Sequence, residues 1–337
     1  MVVGSASQAP QIVRELRRYW HPVATSASVS GTPLHVDLLD VGIVLYRDAQ
    51  GVTALEDLCI HRGTPLSLGK VTPNGTIQCG YHGWQYDSTG ACTYIPSKGR
   101  GGTIPRKARV EAFLTTERYG LVWCALEEPR APLPSWPYDE WDKAGYRHVM
   151  LDAHIWNSSA GRVVDNFLDV SHLAFVHKGI LATDDEAVMP EQRIERTPYG
   201  LYYCRKETEA ATPHSDPGDL IFWEYFVYSP FTAHIKKTTP SGRETIISLL
   251  ASPTSAKKTT FFFGLGRNYQ TEPEHDQKFI DFHYDVSEQD RRIVEQQRPE
   301  EIPTSLREEL HVKDADAAST AYRRLLADLG APPDQLP

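Results

Sequence analysis

Cys59-Ile60-His61-Arg62-Gly63-Thr64 and Cys79-Gly80-Tyr81-His82-Gly83-Trp84 are two versions of one pattern, with seventeen residues between His61 and Cys79. Each supplies one thiol and one imidazole, with a glycine close behind the imidazole. In a chain with 5 Cys and 13 His, a fixed arrangement of two Cys and two His arises by chance at roughly 1 in 10⁴ over the whole chain. The pair of loops therefore points to a bound metal group.

Two groups use that donor set. Zinc takes two Cys and two His tetrahedrally, but zinc fingers usually keep like ligands together, as Cys-x-x-Cys and then a His pair. Here each loop carries one of each. That is the ligand set of a Rieske [2Fe-2S] centre, in which two thiolates hold one iron and two neutral imidazoles hold the other, making the cluster easier to reduce than an all-cysteine one. Gly63 and Gly83 allow tight loops whose backbone N–H groups approach the sulfides. Cys59, His61, Cys79 and His82 are thus the candidate cluster ligands, and the chain moves single electrons.

Outward from these loops the apolar pattern has period two. Leu34 to Leu45, with Asp40 near a turn, then Val52 to Leu58, Thr76 to Cys79 and Trp84 to Tyr86 read as short strands punctuated by Gly, Pro and Asn. Both cluster loops are expected at hairpin tips of a small all-β domain. Before it, Gln8 to Tyr19 reads as an amphipathic helix with Ile12, Leu16 and Tyr19 on one face. A Pro-rich stretch from Pro129 to Pro137 divides the chain into a domain over 1–130, which includes that helix, and a second over 131–337. In the second, Arg147 to Trp156 reads as a strand and Gly161 to Val176 as a helix. Strand-like runs follow at Tyr199 to Arg205, Leu220 to Tyr228, Thr245 to Ala251 and Thr259 to Gly266, closed by a helix from about Glu274 to Gln297. A sheet covered by helices makes the fold class α+β.

The second chemical constellation is Asp165-Asn166-Phe167-Leu168-Asp169-Val170-Ser171-His172, with His177 five residues on. Two His at i and i+5 do not share a helical face, so the helix must loosen after His172 if both meet one ion. On its own the motif is weak, arising by chance in roughly 6% of such chains. Beside a one-electron cluster it gains meaning, because two His and one carboxylate with open positions form the usual non-haem iron(II) oxygenase site. The carboxylate must come from elsewhere. Asp281, Asp285, Glu288 and Asp290 in the last helix are the candidates, each equally readable as part of a solvated face of i,i+3 and i,i+4 ion pairs.

These residues carry a family resemblance. Cys59 to Gly90, Tyr19-Trp20-His21-Pro22, Glu117 to Trp123 and the downstream His motif resemble the Rieske non-haem iron aromatic ring-hydroxylating oxygenases, in particular the oxygenase (alpha) components of vanillate and dicamba O-demethylases, methylxanthine N-demethylases and alkaloid hydroxylases. The resemblance covers most of the chain. It implies a catalytic domain of helix-grip, START-like form. It also implies His172, His177 and Asp290 as ligands of a mononuclear Fe(II), with Glu288 the next choice, and Asn166 as a further catalytic residue. By the same resemblance Asp169 contacts His172 and, across a head-to-tail homotrimer, the cluster ligand His82 of the neighbouring chain, so that electrons pass between subunits. Asp165 departs from the family, where Glu is frequent.

Other classes are excluded by particular residues. Respiratory Rieske proteins carry an extra cysteine in each loop and a serine after the second His-Gly, whereas Thr64, Tyr81 and Trp84 stand here. Without those bonds to the cluster, the expected potential lies at the low end of the Rieske range, about −150 mV. A bare Rieske electron-transfer protein needs neither the length nor a second iron site. A net charge of −9 argues against nucleic acid. No apolar stretch is long enough for a membrane span, and the first residues lack signal-peptide character, so a cytoplasmic enzyme is expected. Cys92, Cys124 and Cys204 then remain as reduced thiols.

No Gly-x-Gly-x-x-Gly follows a strand, so NAD(P)H electrons must arrive through a separate ferredoxin or flavin reductase. Lys98, Arg100, Arg106, Lys107 and Arg109 form a run free of acids and are a candidate docking patch for it. Phe167, Phe175, Trp223 and Tyr225 are candidate pocket residues, and 178–192 and 208–219 candidate gating loops. O2 is the co-substrate. Monooxygenation, meaning hydroxylation or demethylation of a small aromatic, heterocyclic or alkaloid-like molecule, is favoured over cis-dihydroxylation by the resemblance.

Overall fold

The computed structural model describes residues 11–181, 191–208 and 211–329. The chain forms two compact units, one of residues 17–130 and one of 131 onward. The short helix α1 (Gln11–Leu16) groups with the second unit, not with the residues that follow it.

The first unit is all β. Six strands, β1 (His21–Thr25), β2 (Leu34–Leu38), β3 (Val41–Asp48), β4 (Gly51–Glu56) and, later, β9 (Ala112–Arg118) and β10 (Leu121–Ala125), form an antiparallel sheet in the order β1-β10-β9-β4-β3-β2. The β2–β3 turn places Leu39 and Asp40 both at positive φ (52° and 61°), the backbone of a type I′ turn whose twist matches the flanking strands. A smaller sheet holds β5 (Lys70–Val71), β6 (Ile77–Gln78), β7 (Gln85–Tyr86) and β8 (Cys92–Tyr94) in sequence order. Only the second cluster loop is a hairpin tip, joining β6 to β7. The first crosses from β4 of the large sheet to β5 of the small one. A buried core of Val44, Tyr46, Leu55, Leu66, Ile77, Tyr86 and Ile95 packs beneath both loops, together with Cys59, Cys79 and Cys92.

The second unit is α+β. Its strands are β11 (Arg147–Met150), β12 (His154–Trp156), β13 (Glu195–Thr197), β14 (Gly200–Thr208), β15 (Leu220–Tyr228), β16 (Thr232–Thr238), β17 (Glu244–Ser255) and β18 (Lys258–Arg267). They run antiparallel in the order β11-β18-β17-β16-β15-β14-β13, with β12 also on β18. The expected strand 147–156 is thus two, interrupted at Leu151–Ala153. The helices are α2 (Ala160–Leu168), α3 (Leu173–Val176), α4 (Asp276–Val294) and α5 (Ala317–Ala327). Ser159 caps α2 by accepting from the Arg162 N–H at 3.3 Å. Helix α2 lies against β16 to β18 and against α4 and α5. A Cβ on Gly161 would stand 2.2 Å from Cγ2 of Ile302, so this helix face admits nothing larger than glycine. The expected helix 161–176 is broken: it stops at Leu168 and restarts at Leu173, so the chain loosens before His172 and not after it.

Candidate metal centres

The two Cys/His loops are built alike. In each, the cysteine N–H donates to the carbonyl five residues on, Cys59 to Thr64 and Cys79 to Trp84, both at 2.8 Å. In each, the glycine four residues on donates back to the cysteine carbonyl, Gly63 at 2.9 Å and Gly83 at 3.1 Å. Both glycines have positive φ, 68° and 70°, a region that L side chains rarely adopt. Asp57 ties down the first loop, its carboxylate accepting from the Ser67 N–H (2.7 Å) and hydroxyl (2.6 Å).

This geometry sorts the four side chains by type. Cys59 and Cys79 are buried, His61 is half-buried and His82 is exposed, with the imidazole centroids 4.5 Å apart. Trp84 stacks on His61 at 4.6 Å. Four ligands of one tetrahedral zinc would crowd around a single point. Among the described residues, however, the one group of three or more metal-ligating side chains with all donor atoms within 4.8 Å lies elsewhere. Buried thiols behind an outward imidazole pair suit a two-iron cluster instead.

That other group is His172, His177 and Asp290. Asp290 Oδ1 lies 3.0 Å from His177 Nε2 and 3.3 Å from His172 Nε2, and the two Nε2 atoms are 3.3 Å apart. Three donors on one octahedral face, each about 2.1 Å from an ion, stand about 3.0 Å apart, so the triangle fits a single metal with its other positions open. The break between α2 and α3 produces this convergence: His172 caps the start of α3 and His177 its end, which lets residues five apart aim at one point. Asp290 comes from α4. Glu288 does not join them; 43% exposed, it pairs with Arg291 at 2.6 Å.

Each imidazole is also held from behind. Gln289 Oε1 accepts from His177 Nδ1 at 2.7 Å, a contact that sequence reasoning missed because a single Gln in an acidic helix carries no signal. Asp169 Oδ2 stands 3.3 Å from His172 Nδ1, while its Oδ1 accepts from the Ser171 N–H (2.8 Å) and hydroxyl (2.7 Å). Asn166 Nδ2 approaches Asp290 Oδ1 at 3.3 Å. Burial opposes charge on His172, but Asp169 and Asp290 outweigh it and raise its pKa to about 9. Asp290 is likewise opposed by burial yet held below the usual carboxylate range by the two imidazoles. Asp165 points away from this centre, into a buried pair with Arg323 at 2.8 Å.

The triangle borders a pocket of about 680 Å³ including its mouth. Phe167, Trp223 and Tyr225 line it as expected, with Ile235, Ile247 and Phe263. Phe175 does not; it is 66% exposed. Of the expected gating segments, Leu181 reaches the pocket, while 182–190 and 209–210 lie outside the described residues. No described helix is long and apolar enough to cross a membrane.

Comparison with known proteins finds a family match on each unit. Residues 19–114 match the Rieske [2Fe-2S] domain and residues 156–331 the vanillate O-demethylase oxygenase C-terminal domain. The chain is 31% identical to methylxanthine N1-demethylase NdmA of Pseudomonas putida over 93% of its own length and 89% of that protein's. It is 29% identical to the dicamba O-demethylase oxygenase component of Stenotrophomonas maltophilia, covering 77% and 81%. The solved structure of NdmA with caffeine superposes with a TM-score of 0.84, covering 94% of this chain and 92% of that one at 29% identity. A buried thiol pair behind two imidazoles, a separate two-His, one-carboxylate triangle on an apolar pocket, and two domain matches in the same order lead to one conclusion: the chain belongs to the Rieske non-haem iron oxygenases with a vanillate O-demethylase-type C-terminal domain, as the oxygenase component of a multicomponent, O2-using oxidoreductase.

Proposed function

We propose that this enzyme uses O2, with NAD(P)H electrons passed on by a separate ferredoxin or flavin reductase, to hydroxylate a C–H bond or oxidatively demethylate a small aromatic or heterocyclic substrate in the cytoplasm. The observation that carries this reading is the His172–His177–Asp290 triangle, all three members of which border an apolar pocket of single-ring to double-ring size. In this reading those three hold Fe(II), which supplies the activation of O2, and Cys59, His61, Cys79 and His82 hold the cluster. Gln289 and Asp169 fix the imidazoles with Nε2 inward, and Asn166 steadies the Asp290 carboxylate. Phe167, Trp223, Tyr225 and Phe263 exclude water and hold the substrate flat against the triangle.

Asp169 also serves as the bridge to His82 of a neighbouring chain in a homotrimer; its carboxylate is 35% exposed and so open to a partner. The side chains of Lys98, Arg100, Arg106, Lys107 and Arg109 are exposed and suit an acidic reductase. Demethylation is favoured by the N- and O-demethylases among the relatives. The test is iron and sulfide analysis with EPR before and after dithionite, followed by product analysis under ¹⁸O2 with methoxy- and N-methyl-arenes. About three irons per chain and one labelled oxygen in product or released aldehyde are expected. Two irons and no oxygenated product would reduce the protein to an electron carrier.

A further inference from the structure

Behind the first Cys/His loop stands a buried carboxylate whose charge has no part in holding the cluster. Asp57 precedes Cys59 by two residues, so their Cα atoms are at most about 7 Å apart. Its side chain is only 1% exposed. Three donors meet it: Oδ1 accepts from the Ser67 N–H at 2.7 Å, and Oδ2 accepts from the Ser67 hydroxyl and from Nδ1 of His35, both at 2.6 Å. Ser67 closes the loop, whereas His35 comes from strand β2. The His35 side chain is 49% exposed, and its Nε2 stands 3.2 Å from Oδ1 of Asp37. Gly42 on β3 admits this approach. Its carbonyl accepts from the Asp57 N–H at 2.9 Å, and a Cβ there would stand 3.2 Å from Cε1 of His35.

Loop closure alone does not call for this arrangement. An asparagine at position 57 could still accept from Ser67, while a buried carboxylate carries a desolvation cost that its donors must offset. What the carboxylate adds is a charge, and a charge shielded from water acts strongly over several ångströms. The potential of an iron–sulfur cluster follows the net charge and the hydrogen bonds around it.

We propose that Asp57 is a positioning residue that also holds the reduction potential of the cluster down, and that His35, through its bond to Asp57, moderates that charge from the surface. The inference rests on the proposed cluster ligands and deepens that reading by naming residues that set the potential. A negative charge beside the cluster opposes the arrival of an electron. A donor that draws the charge toward itself weakens the opposition. The potential is thereby adjusted from β2, on the large sheet, with no change to the ligands themselves.

The experiment is an EPR-monitored redox titration of the full-length enzyme at one mildly alkaline pH, for wild type, Asp57→Asn and His35→Phe. Asp57→Asn keeps an oxygen for Ser67 and removes the charge. Its midpoint is expected to rise, by roughly tenfold in the reduction equilibrium or about 59 mV for one electron. His35→Phe keeps a ring and removes the donor, so its midpoint is expected to fall. The opposite signs are the decisive readout, because a brace that only held the shape of the loop would move both midpoints one way or neither. Any pair of results other than opposite shifts of these signs overturns the proposal. If Asp57→Asn does not assemble a cluster, His35→Phe decides alone: a lowered midpoint supports the proposal, and an unchanged or raised one overturns it. A wild type without a Rieske signal would overturn the cluster reading and this inference with it, whereas a normal signal without the opposite shifts overturns the inference alone.

Discussion

The phenol oxygen of Tyr86 lies 3.1 Å from Sγ of Cys59, and both side chains are closed to solvent. The loops lack the serine and the extra cysteines of respiratory Rieske proteins, from which a cluster without such support was expected. In the proposed cluster Tyr86 would supply a bond of another kind, since a hydroxyl donated to a cysteine ligand favours the more negative, reduced cluster and would raise its potential. If the bond is worth about 1 kcal/mol more in the reduced form, Tyr86→Phe lowers the midpoint by roughly 40 mV for one electron. An EPR-monitored redox titration measures this, and an unchanged midpoint would show that Tyr86 donates elsewhere.

Gln289→Leu removes the acceptor behind His177. Loss of such an outer partner typically costs 10- to 100-fold in metal affinity. Anaerobic Fe(II) titration of iron-stripped protein should show that loss with the Rieske spectrum intact, while Gln289→Glu, which keeps an acceptor oxygen, should retain tight binding.

Iron uptake by the stripped enzyme should depend on pH through His172. Two carboxylates outweigh burial and raise its pKa to about 9. Below that pH a proton must leave before the imidazole can bind metal, so the apparent affinity rises with pH, about tenfold per unit, and levels off above about 9. Asp169→Asn removes one of those carboxylates and should shift the plateau to lower pH. A flat profile between pH 6 and 9 would show that His172 is already neutral.

Asp169→Asn has a second expected outcome. The ligand set is untouched, so iron and sulfide contents stay near wild type. Oxidation of the prereduced cluster on mixing with substrate and O2 should slow by about 10- to 100-fold, because an outer carboxylate that fixes the acceptor imidazole is lost. Stopped-flow absorbance follows the cluster directly and separates this step from reductase delivery.

Much of the candidate cluster site was legible because its proposed ligands are local: two short loops contain all four, in one repeated Cys/His pattern. The two His of the second centre were legible for the same reason. Asp290 was not singled out by chemistry, since four acids in one helix look alike until the fold shows Glu288 turned to Arg291. Strand β16 went unread because Thr232–Thr238 contains His234, Lys236 and Lys237, residues that signal a surface yet are all buried here. Lys236 is accommodated by Glu140 at 2.8 Å, a partner 96 residues away in sequence. The break in the 161–176 helix was also missed in position, because nothing between Leu168 and Leu173 is glycine or proline. Asp169 makes it, its carboxylate satisfying the Ser171 N–H in place of the next helical turn.

Arg323 clamps α5 to α2 through Asp165 at 2.8 Å and also meets Glu309 at 2.8 Å, while only 3% exposed. Arg323→Met leaves Asp165 without its buried cation, while Glu309 keeps Arg162 at 2.5 Å, and a loss of about 3–5 kcal/mol is expected. A drop in the denaturation midpoint with unchanged Rieske spectrum would locate the damage in the second unit.

Helix α3 is a single turn of four residues, far below the length at which a helix holds itself together in water. What anchors it is long-range: the His177–Gln289 bond joins positions 112 residues apart. A bound ion adds a rivet across that same long loop, where closing the chain ends is costly and a clip gains most. In the proposed iron form the ion would tie α3 to α4 a second time, so the single turn that is weakest on its own would be the one the metal helps to hold.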